Sequence, residues 1–332
     1  MDSKSLHRRL AMLFVGLVSA LAMHASAADS KVTKTTFTYS VSPELKLDRY
    51  ETASDSSRNR RPAIIFAFGG GFTHGTRDDA RYLDYFNFMA RQGYVVVSID
   101  YRTTLAGFNP SAPKALNRFG EALVSAIKTA TADYLTATAF VIAHSDEWNI
   151  NPSMIIASGS SAGAITALQA EYTLVTNRPA AFPPQFNYAA AVTFAGAILS
   201  QGAPTIADNL CPVMLFQGDA DRQVPYNSLV LGPVGLYGSE YIATAVRNGG
   251  GAGAFWTELG AGHEIALSPM ENNLYDIAGF LDHVLSASRK EFSWTTVTIP
   301  GRGAYQKDFS IKDYIKANMP ECCLLYTSPS PR

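Results

Sequence analysis

Ser153-Met-Ile-Ile-Ala-Ser158-Gly159-Ser160-Ser161-Ala162-Gly163-Ala-Ile-Thr-Ala-Leu168 is the stretch on which the reading of this chain turns. Met154 to Ala157 favours a strand, and Ala164 to Glu171 is rich in helix formers. Between them lies Gly-x-Ser-x-Gly. A strand that passes straight into a helix must turn sharply, and glycines two residues to either side of Ser161 tolerate the crowding. Ser161 would then stand above the sheet edge, its hydroxyl at the positive end of the following helix and the Ala162 N–H free to bind an oxyanion. A Gly/Ser-rich loop without chemistry would carry the same five residues. The choice depends on whether the rest of the chain supplies a base, an acid and a second oxyanion donor.

Outward from that stretch, short apolar runs alternate with helical ones. Val32 to Val41 and Leu45 to Thr52 predict two antiparallel strands, followed by a polar loop from Asp55 to Arg61. Pro62 to Phe68 is a continuous apolar run, as in a strand buried on both faces, and Tyr94-Val-Val-Val-Ser-Ile-Asp100 predicts the next buried strand. Between these two runs, Asp78 to Gln92 has helical spacing on Tyr82, Tyr85, Phe86 and Met89. A long helix is predicted from Leu116 through Phe119, Leu123, Ile127 and Tyr134 toward Ala143. Further strands are expected over Tyr188 to Leu199, Pro212 to Gln217 and Ala254 to Leu259. Helices are expected over Ser239 to Asn248 and, closing the fold, Asn273 to Ser288. The alternation predicts a mostly parallel α/β sheet flanked by helices. No long insertion separates Leu199 from Pro212, so little or no lid is expected.

The ends read differently from the middle. Lys4, Arg8 and Arg9 precede an apolar run from Leu10 to Met23 and the small residues Ala25-Ser26-Ala27, which predicts a signal peptide over 1–27 and a secreted or periplasmic protein with no stable membrane anchor. Residues 322–332 show no periodicity and are expected to be foreign to the fold, leaving 28–321 as a single domain. The net charge of −1 and the 17% of charged residues offer no footprint for nucleic acid or an acidic membrane. Cys211 is expected either as a buried free thiol or in a bridge to Cys322 or Cys323. There is no zinc-ligand spacing, and no cofactor is implied. The sequence does not set the oligomeric state.

A serine hydroxyl needs a base within hydrogen-bond reach. Beyond residue 27 the histidines are His74, His144, His263 and His283. His144 and His283 lie in helical stretches, and His74 sits in a glycine loop where it could line a pocket. His263 follows a strand directly, in Gly260-Ala-Gly262-His263, where open α/β sheets place their ligands. With the order Ser, acid, His, the acid lies among Glu171, Asp208, Asp219, Asp221, Glu240 and Glu258. Asp219 and Asp221 are the two that come just after a buried strand; Asp221 is the choice, and Asp219 reads as a turn residue. Gly69-Gly70-Gly71 follows the third strand, where N–H groups unobstructed by Cβ atoms would add two donors beside Ala162.

Phe68 to Phe72, Gly159 to Gly163, Gly218 to Pro225, Gly260 to His263 and Asp100-Tyr101-Arg102 together resemble the α/β-hydrolase esterases and lipases that carry a GGGF oxyanion loop. The resemblance covers about residues 60 to 285. It implies an α/β-hydrolase fold, serine esterase activity, a Ser161–Asp221–His263 triad, and an oxyanion hole from the N–H groups of Gly70, Gly71 and Ala162. Phe68 stands where relatives often have His or Tyr, and Ser160 where an acid often precedes the nucleophile. The expected substrate is a small-molecule or carbohydrate-linked ester, with acetyl or feruloyl esters of plant carbohydrates suggested by the absent lid and the signal peptide. Two other readings are a peptidase of the prolyl-oligopeptidase kind, for whose propeller the chain has no room, and a non-catalytic binding module on the same scaffold.

Overall fold

The computed structural model describes residues 30–53, 60–112, 114–206, 210–286, 291–298 and 308–319. The expected signal peptide, the residue 322–332 tail, Asp208, Cys322 and Cys323 lie outside the described residues.

The strands are β1 (Val32–Val41), β2 (Glu44–Thr52), β3 (Arg61–Ala67), β4 (Val95–Ile99), β5 (Ile150–Ser160), β6 (Ala190–Phe194), β7 (Ala197–Gln201), β8 (Val213–Gly218), β9 (Ser228–Leu231), β10 (Val234–Gly238), β11 (Gly253–Leu259) and β12 (Phe292–Thr298). The helices are α1 (Leu83–Arg91), α2 (Ala115–Ala143), α3 (Ala162–Thr176), α4 (Ser239–Asn248), α5 (Pro269–Asn272), α6 (Leu274–Ser286) and α7 (Ile311–Asn318). Nine strands form one sheet in the order β1-β2-β4-β3-β5-β6-β8-β11-β12. The pairs β1/β2 and β2/β4 are antiparallel, and the pairs from β4 through to β12 are parallel. The most deeply buried strands fill its middle: every residue of β4, β6 and β8 is buried, as a sheet covered by helices on both faces requires.

The order changes direction twice, with β3 and β4 exchanged beside β5. The carboxyl ends of β3, β5, β8 and β11 consequently share one edge, and the loops leaving them meet there.

The expected strand over 188–199 is two strands. Ala195, with φ of 57°, and Gly196 break it after β6, and β7 leaves to form a separate sheet of order β7-β10-β9. The break is enforced by packing: a Cβ on Gly196 would lie 2.8 Å from a Leu168 methyl of α3, so the chain crosses close over that helix. The chain also continues past the expected closing helix, adding β12 to the sheet edge and then α7.

Glu171 is fully buried on α3. Its Oε1 accepts the Cys211 N–H at 2.8 Å, while Oε2 has no hydrogen-bond partner among the described residues. Cys211 itself is a buried free thiol. Burial pushes the Glu171 carboxyl up from 4.5 to about 7. Between those values the folded chain holds a proton that the unfolded chain has released, so stability falls as pH rises through the interval. Urea unfolding at pH 5 and pH 8 should therefore show a steeper loss for the native protein than for Glu171→Gln, by roughly 3 kcal/mol at most. Equal losses in the two proteins would mean that Glu171 is ionised at both pH values.

Candidate active site

The turn at Ser161 is built by close contact. Ser161 has φ of 53° and ψ of −117°, a conformation that side-chain-bearing residues adopt only when their surroundings enforce it. Its N–H donates to the Phe194 carbonyl of β6 at 2.8 Å, and its carbonyl accepts the Ile165 N–H at 2.9 Å as the first hydrogen bond of α3. The flanking glycines make room. A Cβ on Gly163 would lie 2.0 Å from the Ala67 carbonyl oxygen, and one on Gly159 would lie 2.4 Å from that of Gly163. Those obstacles are backbone and cannot swing aside, so the spacing of the two glycines is a steric requirement of the turn.

Ser161 Oγ lies 2.7 Å from His263 Nε2, and His263 Nδ1 lies 2.8 Å from Asp221 Oδ2. The three residues, drawn from the ends of β5, β8 and β11, form one hydrogen-bonded chain. Asp221 is wholly buried, and His263 is 18% exposed. A buried carboxylate must be solvated by the protein. Here Oδ1 accepts the Gln223 and Val224 N–H groups at 2.8 and 3.0 Å, and Oδ2 accepts Gln217 Nε2 at 3.1 Å. Gln217 is held in turn by the Ser239 hydroxyl, which donates to its Oε1 at 2.7 Å. The sequence did not single out Gln217, because it lies inside the apolar run of β8. An amide at the end of a wholly buried strand was the available signal.

Asp219 does not enter this chain. Its Oδ1 accepts the Gly260 N–H at 2.5 Å, tying the loop that carries Asp221 to the loop that carries His263. Gly218 allows the two loops to touch, since a Cβ there would lie 2.2 Å from the Ala261 carbonyl oxygen. The remaining histidines do not enter the hydrogen-bonded chain of Ser161, His263 and Asp221. His74 Nδ1 lies 2.7 Å from Thr73 Oγ1, His144 stacks on Phe140 at 4.0 Å between ring centroids, and His283 lies 4.0 Å from Glu291.

The glycine loop leaves β3 against the turn, for a Cβ on Gly69 would come within 3.3 Å of Ser161 Cβ. Gly70, Gly71 and Phe72 all have positive φ, of 124°, 59° and 59°. The Gly69 N–H donates to the Tyr82 hydroxyl at 3.0 Å. Phe68 stacks on Tyr101 at 4.4 Å, and the Tyr101 hydroxyl donates to the Phe68 carbonyl at 2.8 Å, so an apolar ring anchors the position where relatives often carry His or Tyr.

Residues 47–198 match the family model BD-FAE, which takes in β3, the glycine loop and the Ser161 turn. This chain has an α/β-hydrolase fold. The chain superposes on the apo form of Thermogutta terrifontis esterase 2 with a TM-score of 0.53 at 24% identity, over 75% of this chain and 91% of that one. For the native form of the same organism's Est2 the TM-score is 0.54 at 22% identity, over 76% and 91%. A third structure, Thermogutta terrifontis esterase 2 phosphoramylated by tabun, gives 0.53 at 24% identity over 75% and 96%. No curated protein matches the chain.

Proposed function

We propose that this chain is a serine esterase that hydrolyses carboxylic esters in two acyl-transfer steps. His263 removes the proton of Ser161 as Ser161 Oγ attacks the ester carbonyl. The N–H groups of Gly70, Gly71 and Ala162 take the charge that develops on the carbonyl oxygen. Protonated His263 gives its proton to the departing alcohol, which leaves Ser161 acylated. Water, deprotonated by His263, then releases the acid and restores the serine. Asp221 holds the imidazole tautomer that keeps Nε2 unprotonated toward Ser161, and it stabilises the imidazolium without accepting its proton.

The observation that carries this reading is the hydrogen-bonded chain of 2.7 and 2.8 Å from Ser161 through His263 to Asp221. Its geometry is that of a nucleophile, a base and an orienting group. The basic, apolar and small-residue succession over 1–27 supports action outside the cytoplasm. Acetyl or feruloyl groups on plant carbohydrates are the proposed substrates, since secreted enzymes meet ester-bearing polymers. The purified protein should cleave p-nitrophenyl acetate and release acetate or ferulate from esterified xylan, leaving aminopeptidase substrates intact. Cleavage of the aryl ester alone would reject the carbohydrate part, and no cleavage of any ester would reject the mechanism.

A further inference from the structure

Helix α7 lies outside the stretch that carries the sequence motifs, yet it reaches both halves of the site. On one side, the Tyr314 hydroxyl donates to the Gly71 carbonyl at 2.5 Å. The Asn318 carboxamide sits where a Gly71 side chain would be, its Cγ and Oδ1 both 2.3 Å from an ideal Cβ there. Thr73 Oγ1 lies 2.9 Å from the carbonyl oxygens of both Gly70 and Asn318, and its single proton serves one of them at a time. On the other side, the Ser310 N–H donates to the Arg222 carbonyl at 2.9 Å, Arg222 pairs with Asp313 at 2.8 Å, and Asn318 Nδ2 lies 3.4 Å from Gln223 Oε1. Arg222 and Gln223 directly follow Asp221.

A peptide unit is planar, so fixing a carbonyl fixes the N–H across the same bond, pointing the opposite way. The Gly70 carbonyl is held by the Thr73 and His74 N–H groups at 3.0 and 3.3 Å, which sets the direction of the Gly71 N–H. The Gly71 carbonyl is held by Tyr314, which sets the Phe72 N–H just beyond the donors. Helix α7 bears on the Gly71 donor itself through Asn318, whose carboxamide packs on Gly71 and whose carbonyl meets the hydroxyl of Thr73, the residue whose N–H holds the Gly70 carbonyl. Glycines at positive φ have shallow preferences of their own, so the direction of their N–H groups depends on such external anchors.

We propose that Tyr314 and Asn318 are positioning residues for ester hydrolysis. By this account α7 braces the Gly70–Phe72 backbone in the orientation that receives the oxyanion and ties that loop to the loop of Asp221. The inference rests on the oxyanion-hole role proposed above for Gly70 and Gly71.

The test uses the full chain with Tyr314→Phe and Asn318→Ala, with the exposed Lys316→Ala on the same helix as a kinetic control. Removing a donor from an oxyanion hole costs ~10²–10³-fold in kcat, and loosening one is expected to cost roughly tenfold with KM nearly unchanged. Affinity for a trifluoromethyl ketone, whose adduct with Ser161 places an oxyanion in the same hole, should fall by the same factor as kcat. Matched falls in either variant, at an unchanged melting midpoint, support the brace. Unchanged kcat and ketone affinity in both, a loss confined to KM, or losses that merely track a lower midpoint overturn it. If Ser161→Ala is inactive while both α7 variants behave as the native protein, the brace fails and the proposed mechanism stands. An active Ser161→Ala would remove the mechanism itself.

Discussion

Ser161→Ala is expected to lower kcat by about 10⁶, the scale on which a triad nucleophile is lost, while the protein stays folded. The loss is large because the mechanism has no substitute for the atom removed. Among the described residues no other hydroxyl is paired with His263 Nε2, and Ser160, the neighbouring serine, donates its proton to the Ala266 carbonyl at 2.7 Å on the buried side of the turn. The fold should not register the change. The turn depends on the backbone bonds of residue 161 to Phe194 and Ile165 and on the missing side chains of Gly159 and Gly163, all of which alanine leaves in place. Serine and alanine both carry a Cβ, so the strain at φ of 53° is the same for each, and the change in stability should stay within about 0.5 kcal/mol. Kinetics on p-nitrophenyl acetate and a fluorophosphonate labelling experiment check the two halves together. Turnover at about a hundredth of the native rate would be far above the residual rate of a disabled triad. That result, or labelling of the variant, would place the nucleophile elsewhere.

The parts of the fold legible in the sequence were those whose physics is local. β3, β4 and β8 are buried along most of their length and had to be written as mostly apolar runs, broken only by Arg61 at the start of β3, Ser98 in β4 and Gln217 in β8. The Ser161 turn was legible because only glycine satisfies its contacts, which leaves a mark at fixed spacing. Ordered elimination among few histidines and acids then brought His263 and Asp221 forward. What stayed hidden depends on partners far along the chain. Nothing in Tyr188 to Leu199 announces that α3 approaches Gly196 closely enough to split the strand. β9 and β10 are only four and five residues long, two residues of β10 are glycines, and no residue of β12 is buried, so neither the hairpin nor β12 leaves a strong sequence pattern. Helix α7 did leave a signal: Ser310 accepts the Asp313 N–H at 3.3 Å as an N-cap, and Ile311, Tyr314 and Ile315 recur at three and four. Its importance comes from contact with Gly71, about 240 residues earlier, which no local pattern records.

Asp221→Asn should cost about 10⁴-fold in kcat, the size expected when the imidazole is held in the wrong tautomer. The direction follows from the hydrogen bonds that residue 221 already makes. Two backbone N–H groups, of Gln223 and Val224, point at Oδ1, so an asparagine must keep its oxygen there and present its NH₂ group at the Oδ2 position. At that position it faces His263 Nδ1 and Gln217 Nε2. Gln217 cannot readily reverse, because its Oε1 holds the Ser239 hydroxyl and its Nε2 also donates to the Val224 carbonyl at 3.3 Å. The asparagine would therefore donate to Nδ1 and place the imidazole proton on Nε2, aimed at the Ser161 oxygen whose proton the ring has to accept. Fluorophosphonate labelling should slow in parallel with kcat, since both need the activated hydroxyl. Asp219→Asn supplies the contrast: an asparagine there keeps an oxygen for the Gly260 N–H, so kcat should remain within about threefold of the native value, as for a substitution that leaves the triad's tautomer untouched. If the two variants exchanged behaviour, with Asp221→Asn near native and Asp219→Asn disabled, the orienting carboxylate would have to be reassigned to Asp219.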